Sequence, residues 1–379
     1  MVLGIDASTS GSGGAKRHLI ELLKKFDTRK HGFEKITVWG VQSLLDELPI
    51  NESITKLTHP LLNGNFIKRA LWQIFYRDNS IKNKCNILFS PFGTYIGNIN
   101  PYVSMSRNML VFSKTERGRF GFSLNRLKFK LLFFTQRESF KNATGIIFLS
   151  NHAKSEIGKY INLNKKNTQI IHHGISQSFD LNPKNQNSIT YYNDLNPYNI
   201  LYVSTIWVYK HPWNVVFAIK NLKDNGYPIS LTIVGNNEQK SAGERLEKAI
   251  NEINTKENII SWQQKVGLNE IAEFYKKSDA FVFASTCENM PNILVEAMAS
   301  GLPITCSSFE PMPEFLKDGG IYFNPEVVSS IENAMKKMID SADLREQLAK
   351  KSHSYSKEFS WQKCADETFD FLYKISLKK

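Results

Sequence analysis

Twice along this chain, short runs of β-branched and aromatic residues alternate with longer stretches of helical periodicity. In the first pass the expected strands are Met1–Asp6, Lys35–Trp39, Ile87–Ser90, Asn108–Phe112 and Gly145–Leu149, with helices such as Arg17–Lys25 and Asn65–Tyr76 between them. In the second pass the expected strands are Ile200–Val203, Ile229–Val234, Ile259–Trp262, Ala280–Ala284 and Leu302–Cys306. Their helices are Trp213–Asn225, Gly243–Asn254, Leu268–Ser278, Pro291–Ser300 and Val328–Asp340. Strands separated by helices of this length predict parallel sheets covered on both faces. The predicted class is therefore α/β with two lobes. The joint is expected near Gly174, because Ser176 to Asn199 is rich in Asn, Ser and Pro and suits a linker. Ligands of open α/β sheets bind at the carboxyl ends of strands, so the cleft between lobes is the expected site.

The charge is divided between the two passes. The 379 residues carry a net charge of +12, yet residues 1–170 hold 26 Lys+Arg against 11 Asp+Glu and the remainder holds 22 against 25. A basic first part suggests partners such as phosphate groups, nucleic acid or an anionic membrane surface; solubility alone is the competing reading. With 41% hydrophobic and 22% charged residues, disordered and fibrous classes are excluded. No apolar run approaches the ~18 residues of a membrane span. Met1 to Ala15 lacks a basic stretch followed by an apolar one, so no signal peptide is expected. Cys85, Cys287, Cys306 and Cys364 are widely spaced, which fits a reducing cytosol.

Two stretches carry chemistry. Gly11-Ser12-Gly13-Gly14 lies between the first strand and a helix, where glycines let backbone approach a phosphate and helix N–H groups attract anions. It is neither a dinucleotide fingerprint nor a P-loop, and a plain flexible turn reads as well. The second stretch is residues 285–303, S-T-C-E-N-M-P-N-I-L-V-E-A-M-A-S-G-L-P. Glu288 falls in a loop after a strand, and Glu296 falls eight residues on, in a helix starting near Pro291 and stopped at Gly301. Two carboxylates there could accept hydroxyls beside backbone donors for phosphate. A capped helix with solvent-facing carboxylates is the alternative. His18 and His152 are candidate cleft histidines, whereas His172 and His173 suit the hinge. No H-x-x-x-H, Cys/His set or D-x-D points to a metal, and no G-x-S-x-G points to a hydrolase.

The 285–303 string resembles the donor-site signature of the family-4 retaining glycosyltransferases, a GT-B group with two Rossmann-like lobes. Ile170-Ile171-His172-His173-Gly174-Ile175 resembles that family's junction, and Ile200–Val203 followed by Lys210-His211 resembles its diphosphate-contacting strand and basic loop. Leu231–Gly235, Tyr322-Phe323-Asn324-Pro325 and Phe359-Ser360-Trp361 resemble later landmarks. The resemblance implies an acceptor lobe over 1–172, with a final helix at about 360–379 packing back on it, and a donor lobe over 173–359. It implies that Glu296 binds ribose, that Glu288 binds the transferred sugar and that Lys210 neutralises the departing diphosphate. Gly13 and Gly14 would approach that diphosphate. Asn289, Met290, Pro291, Asn292 and Ile293, with Gly235 and Thr205, would line the donor site, the backbone N–H groups of 289–292 holding sugar and diphosphate. Beyond the nucleotide-sugar donor it implies no cofactor and no metal.

The sequence departs from the family in three places. Thr205 and Ser204 stand where members carry an Arg before the Lys. Arg107 stands where many carry a first-lobe His, and arginine cannot serve as a general base. Ser261-Trp262-Gln263-Gln264 replaces a more glycine-like base-binding loop.

The stretch 114–141 interleaves Arg117, Arg119, Arg126, Lys128, Lys130 and Arg137 with many Phe and Leu residues. Such interleaving suits a helix in an anionic membrane interface, or an ordinary amphipathic helix packed on the first lobe. No nucleic-acid motif accompanies it. The expected function is retaining, metal-independent transfer of a sugar to a saccharide or lipid-linked acceptor in bacterial surface polysaccharide or O-antigen synthesis. The expected place is the cytoplasm, peripheral on the inner face of the plasma membrane. The competing hypotheses are a non-catalytic nucleotide-sugar binder and a GT-B epimerase.

Overall fold

A computed structural model describes residues 1–9, 13–254 and 259–378. Among them, seven strands form one sheet: β1 (Val2–Ala7), β2 (Lys35–Gly40), β3 (Ile54–Leu57), β4 (Ile87–Ser90), β5 (Tyr102–Met105), β6 (Gly145–Phe148) and β7 (Asn167–Ile170), in the order β3-β2-β1-β4-β5-β6-β7. A second sheet holds β8 (Tyr198–Val203), β9 (Ile229–Val234), β10 (Ile260–Gln263), β11 (Ala280–Phe283), β12 (Ile304–Ser307) and β13 (Ile321–Phe323), in the order β10-β9-β8-β11-β12-β13. The strand pairs among the described residues are parallel, for example Val2 with Lys35 and Tyr198 with Ile229. Both sheets show the Rossmann order, in which the chain reverses direction beside the first strand. The two-sheet α/β class expected from the sequence is what the structure shows.

The central strands are buried on both faces, which is why they read as unbroken apolar runs. Leu3, Ile5, Leu88, Phe89, Val103 and Ile147 fill the first core. Tyr202, Trp213, Val216, Ile233, Leu246 and Met335 belong to the second. The helix Pro212–Asp224 starts on a proline whose missing N–H costs nothing at that position, and it buries Trp213, Val215, Val216 and Ile219.

The chain divides into two compact units. The first comprises 1–114, 122–174 and 359–379, and it includes the last helix, Trp361–Ser376. The second comprises 115–121 and 175–358. Against the expected 1–172 with about 360–379, and 173–359, this division assigns 115–121 to the second unit and 173–174 and 359 to the first. The partners of 115–121 are distant in sequence: Glu116 meets Thr286, and Phe120 lies 6.0 Å from Trp207, ring to ring. No local pattern announces such contacts.

The expected strand Asn108–Phe112 is instead a short turn of 3-10 helix, Met109–Val111. Asn108 Oδ1 accepts the Leu110 N–H (3.1 Å), which bends the chain, and the strand lies earlier, at Tyr102–Met105. The expected helix Asn65–Tyr76 is a helical turn Phe66–Leu71, a π-helical turn Trp72–Tyr76 and a further turn Arg77–Ile81.

Candidate functional site

In the second unit the order reverses between β8 and β11, which pair side by side, Ala280 with Ile200. The segments leaving their carboxyl ends, 204–211 and 284–291, are therefore neighbours. The first contains Lys210 on a 3-10 turn, Val208–Lys210, and the second contains Glu288. The Lys210 ammonium donates to the Glu288 carboxylate. Lys210 is 5% exposed, and its Nζ lies 5.3 Å from the Tyr209 ring centre and 5.4 Å from that of Phe283. Little water reaches this charge pair, so each partner feels the other far more strongly than on a wet surface. The Tyr202 hydroxyl donates to the Lys210 carbonyl (2.6 Å) and fixes the turn that carries the lysine.

Thr286 stitches the two segments. Its N–H donates to Tyr209 O (2.9 Å), and its Oγ1 lies 3.2 Å from the same carbonyl, 3.4 Å from His211 Nε2 and 3.0 Å from Glu116 Oε2. Glu116 accepts from Arg119 Nε (2.7 Å), and Arg119 Nη2 donates to Glu326 (2.6 Å). A chain of charge-assisted bonds, exposed at Glu326 and buried at Thr286, thus runs from Glu326 to the residue two before Glu288. His211 caps the helix Pro212–Asp224 with left-handed backbone, φ 48°. Burial first, then the Arg119 guanidinium, pushes its imidazole down to about 4, with Arg245 acting the same way and Glu326 opposing. His211 is therefore neutral at pH 7. Sequence reading missed Thr286, Glu116, Arg119 and Glu326; the basic run at 114–141 was visible but pointed elsewhere.

The remaining expected donor-site residues of the second unit lie on the segments that follow β8, β9 and β11. Glu296 lies on the helix Asn292–Ala299, half-buried. Burial, and next the nearby Glu296, raises the Tyr275 hydroxyl well above its ordinary value, and that hydroxyl donates to Ile293 O (3.2 Å). Asn289 and Met290 are buried in the loop. The expected run of backbone donors over 289–292 needs correction. Pro291 has no N–H and stands before the helix rather than in it, and the Asn292 N–H is donated to Met290 O (2.9 Å). Thr205 is exposed on the first segment. Gly235 follows β9 with φ 145°; a Cβ there would stand 1.9 Å from Ser204 O, so only glycine permits this approach.

The first unit brings a separate group together. Gly11 and Ser12 lie outside the described residues. Gly13, φ 74°, precedes the helix Gly14–Lys24, and both Gly13 and Gly14 are exposed. Arg107 donates to Gly14 O (3.1 Å). His18 is not on the surface of that turn: it is fully buried, its ring 4.6 Å from that of His173, its Nε2 3.9 Å from Cys364 Sγ. Burial, then His173 and Arg107, holds it well below its ordinary value. The candidate role for His18 as a ligand contact therefore gives way to a core histidine. His173 stacks on Trp361 (5.8 Å), and a Cβ at Gly174 would stand 2.1 Å from Trp361 N, which explains the glycine. His152 is half-buried at the start of the helix Asn151–Gly158. Among the described residues, no group of three His, Cys, Asp or Glu is placed to hold a metal ion, and no helix is long and apolar enough to cross a membrane.

Residues 186–355 match the family model described as Glycosyl transferases group 1. O-antigen chain mannosyltransferase B of Escherichia coli is 27% identical over 121 residues, 32% of this chain and 32% of that protein. O-antigen chain mannosyltransferase RfbU of Salmonella typhimurium is 25% identical over 203 residues, 54% of this chain and 53% of that protein. The chain thus matches about a third and about half of the length of these relatives. Among solved structures, Anabaena HepE in complex with UDP and glucose aligns at TM-score 0.69 and 15% identity, over 97% of this chain and 96% of that one. WaaG, a glycosyltransferase involved in lipopolysaccharide biosynthesis, aligns at TM-score 0.69 and 14% identity, over 98% and 99%. At these identities the likeness speaks to the fold, the two-Rossmann GT-B class.

Proposed function

We propose that this chain, whose residues 186–355 form a glycosyl transferases group 1 domain, is a retaining glycosyltransferase. It moves a sugar from a nucleotide-sugar donor to a saccharide or lipid-linked saccharide, without a metal, in bacterial surface polysaccharide synthesis. The observation that carries the reading is the Lys210–Glu288 pair at the carboxyl ends of β8 and β11, inside that domain. The names of the relatives, the UDP-bound HepE and the lipopolysaccharide role of WaaG support the substrate class and the setting.

The chemistry follows from charge. Breaking the bond between sugar and diphosphate leaves negative charge on the diphosphate. Lys210, held dry against Tyr209 and Phe283, exchanges Glu288 for that phosphate and meets the charge as it grows. Glu288, released, accepts hydrogen bonds from hydroxyls of the transferred sugar, and Glu296 accepts from the ribose. The acceptor attacks the face from which the diphosphate leaves, so the anomeric configuration is kept. The protein works in the cytoplasm, against the inner face of the plasma membrane, which the helix Leu124–Asn142 contacts through Leu and Phe side chains edged by Arg126, Lys128 and Lys130.

A panel of labelled nucleotide sugars tests this reading. One donor should be slowly hydrolysed alone and transferred with acceptor extract. Glu288→Ala should lower turnover by about a hundredfold or more, and Glu296→Ala should mainly raise the donor KM. Full activity in both variants removes the site assignment; tight donor binding without turnover makes the protein a binder.

A further inference from the structure

We propose that the first unit docks on an anionic lipid bilayer through two helical segments: Leu124–Asn142 and also Phe66–Ile81, which the charge pattern did not single out. The proposal rests on the membrane part of the function above and adds a second contact surface to it.

On the second segment Ile67, Leu71, Ile74 and Phe75 are between 40 and 72% exposed. They stand at i, i+4, i+7 and i+8, which is one helical face. Among the described side chains of this segment, Trp72, Arg77 and Ile81 are the buried ones. The apolar face therefore looks away from the core, against the usual arrangement of a surface helix. The π-helical turn Trp72–Tyr76 contributes by presenting Ile74, Phe75 and Tyr76 outward in succession. A contiguous exposed apolar patch of this kind marks an interaction site.

The helix Leu124–Asn142 repeats the pattern. Leu124, Leu127, Leu131 and Phe134 are 50 to 85% exposed, while Phe129, Gln136 and Phe140 face the core. At about 100° per residue, Arg126 and Lys130 fall along one edge of the outward stripe and Lys128 along the other.

Topology puts both segments on one side of the sheet. The connections β3 to β4 and β5 to β6 run in the same direction across the strand order, and right-handed crossovers then place their helices on the same face. Tyr95 links them: its hydroxyl donates to Asp78 (3.1 Å), and its N–H donates to Ser139 Oγ (2.9 Å).

Charge selects the occupant. Lys68, Lys82 and Lys84 are exposed around the second stripe, and its acid, Asp78, is taken by Arg77 and Tyr95. A second copy would set one basic rim against another. An anionic bilayer accepts apolar side chains and basic rim together.

The test is co-flotation of the full chain with phosphatidylcholine vesicles, with and without phosphatidylglycerol. Binding should require the anionic lipid and weaken with salt. Ile74→Glu/Phe75→Glu and Leu127→Glu/Leu131→Glu should each lower vesicle affinity by about tenfold or more, with unchanged thermal unfolding. Leu195→Glu, on the second unit and 98% exposed, is the control. Wild-type flotation of the Ile74/Phe75 variant overturns the two-segment surface. Equal binding to neutral vesicles overturns the anionic choice, and a change of oligomeric state without loss of flotation assigns the face to a second copy. Nucleoside diphosphate binding in solution should be the same in all four proteins; its absence throughout would count against the transferase reading and leave the flotation result standing.

Discussion

At the scale of single residues, the burial that strengthens the Lys210–Glu288 pair also makes the adjacent His211 sensitive to acid. His211 is held at about 4, against an ordinary value of 6.5. Its folded value lies below its unfolded value, so the unfolded chain takes up a proton first as pH falls. The stabilisation from neutral His211 is complete above 6.5, is lost progressively below it, and the loss levels off near 4. At about 1.4 kcal/mol per pH unit, moving from pH 6.5 to 5 should remove about 2 kcal/mol. Buried His18 acts with the same sign. His211→Asn keeps a residue that tolerates left-handed backbone and caps a helix, and should flatten this slope in urea unfolding between pH 7 and 5. An unchanged slope would remove His211 as the cause. Glu288 was singled out in the sequence by its loop after a strand, and Lys210 by the resemblance of its basic loop; the structure pairs the two past neighbouring strand ends. Thr286 was not: a threonine beside a glutamate carries no local mark, and its importance comes from Tyr209 and Glu116, 77 and 170 residues away.

At the scale of elements, the same logic separates the strands that were read from those that were missed. The expected β4 and β9 match their observed limits, and most other interior strands fall within two residues, since buried parallel strands are apolar throughout. β3, β7 and β13 were missed. All three lie at sheet edges; β3 and β7 mix polar residues into the run, as in Asn167–Ile170, and β13 is only three residues long, Ile321–Phe323. Turns follow a similar rule. Gly235 and Gly13 both have positive φ, but only Gly235 has backbone pressed against its missing side chain. Gly235→Ala should therefore cost roughly 3 kcal/mol or more and weaken nucleoside diphosphate binding, because the Ser204 segment must move. Gly13→Ala, with nothing among the described residues within 4 Å of the added Cβ, should cost about 1 to 3 kcal/mol, the positive-φ backbone penalty alone. Chemical denaturation of both variants checks the contrast, and equal losses would show that packing at Gly235 is not the reason for the glycine.

At the scale of the whole molecule, the second unit is completed by seven residues, 115–121, inserted between β5 and β6 of the first sheet. The segment brings Glu116, which joins Thr286 to Arg119, and through Arg119 to Glu326. Removing this carboxylate leaves the half-buried Arg119 guanidinium to Glu326 alone and leaves the Thr286 hydroxyl to the Tyr209 carbonyl. Glu116→Ala should then cost about 1 to 2 kcal/mol, the worth of the hydrogen bonds it removes. The loss should be local before it is global, since the bonds it removes tie down loops rather than strands. Amide exchange should accelerate most in 204–211 and 284–291, the two segments that Thr286 joins. Glu116→Gln, which keeps an acceptor for the hydroxyl but not the charge, should recover part of the protection. Exchange that rises equally in β1 and β4, or not at all near Thr286, would mean that 115–121 merely rests on the second unit. Exchange confined to the two loops would mean that a segment far away in sequence holds Lys210 and Glu288 in register.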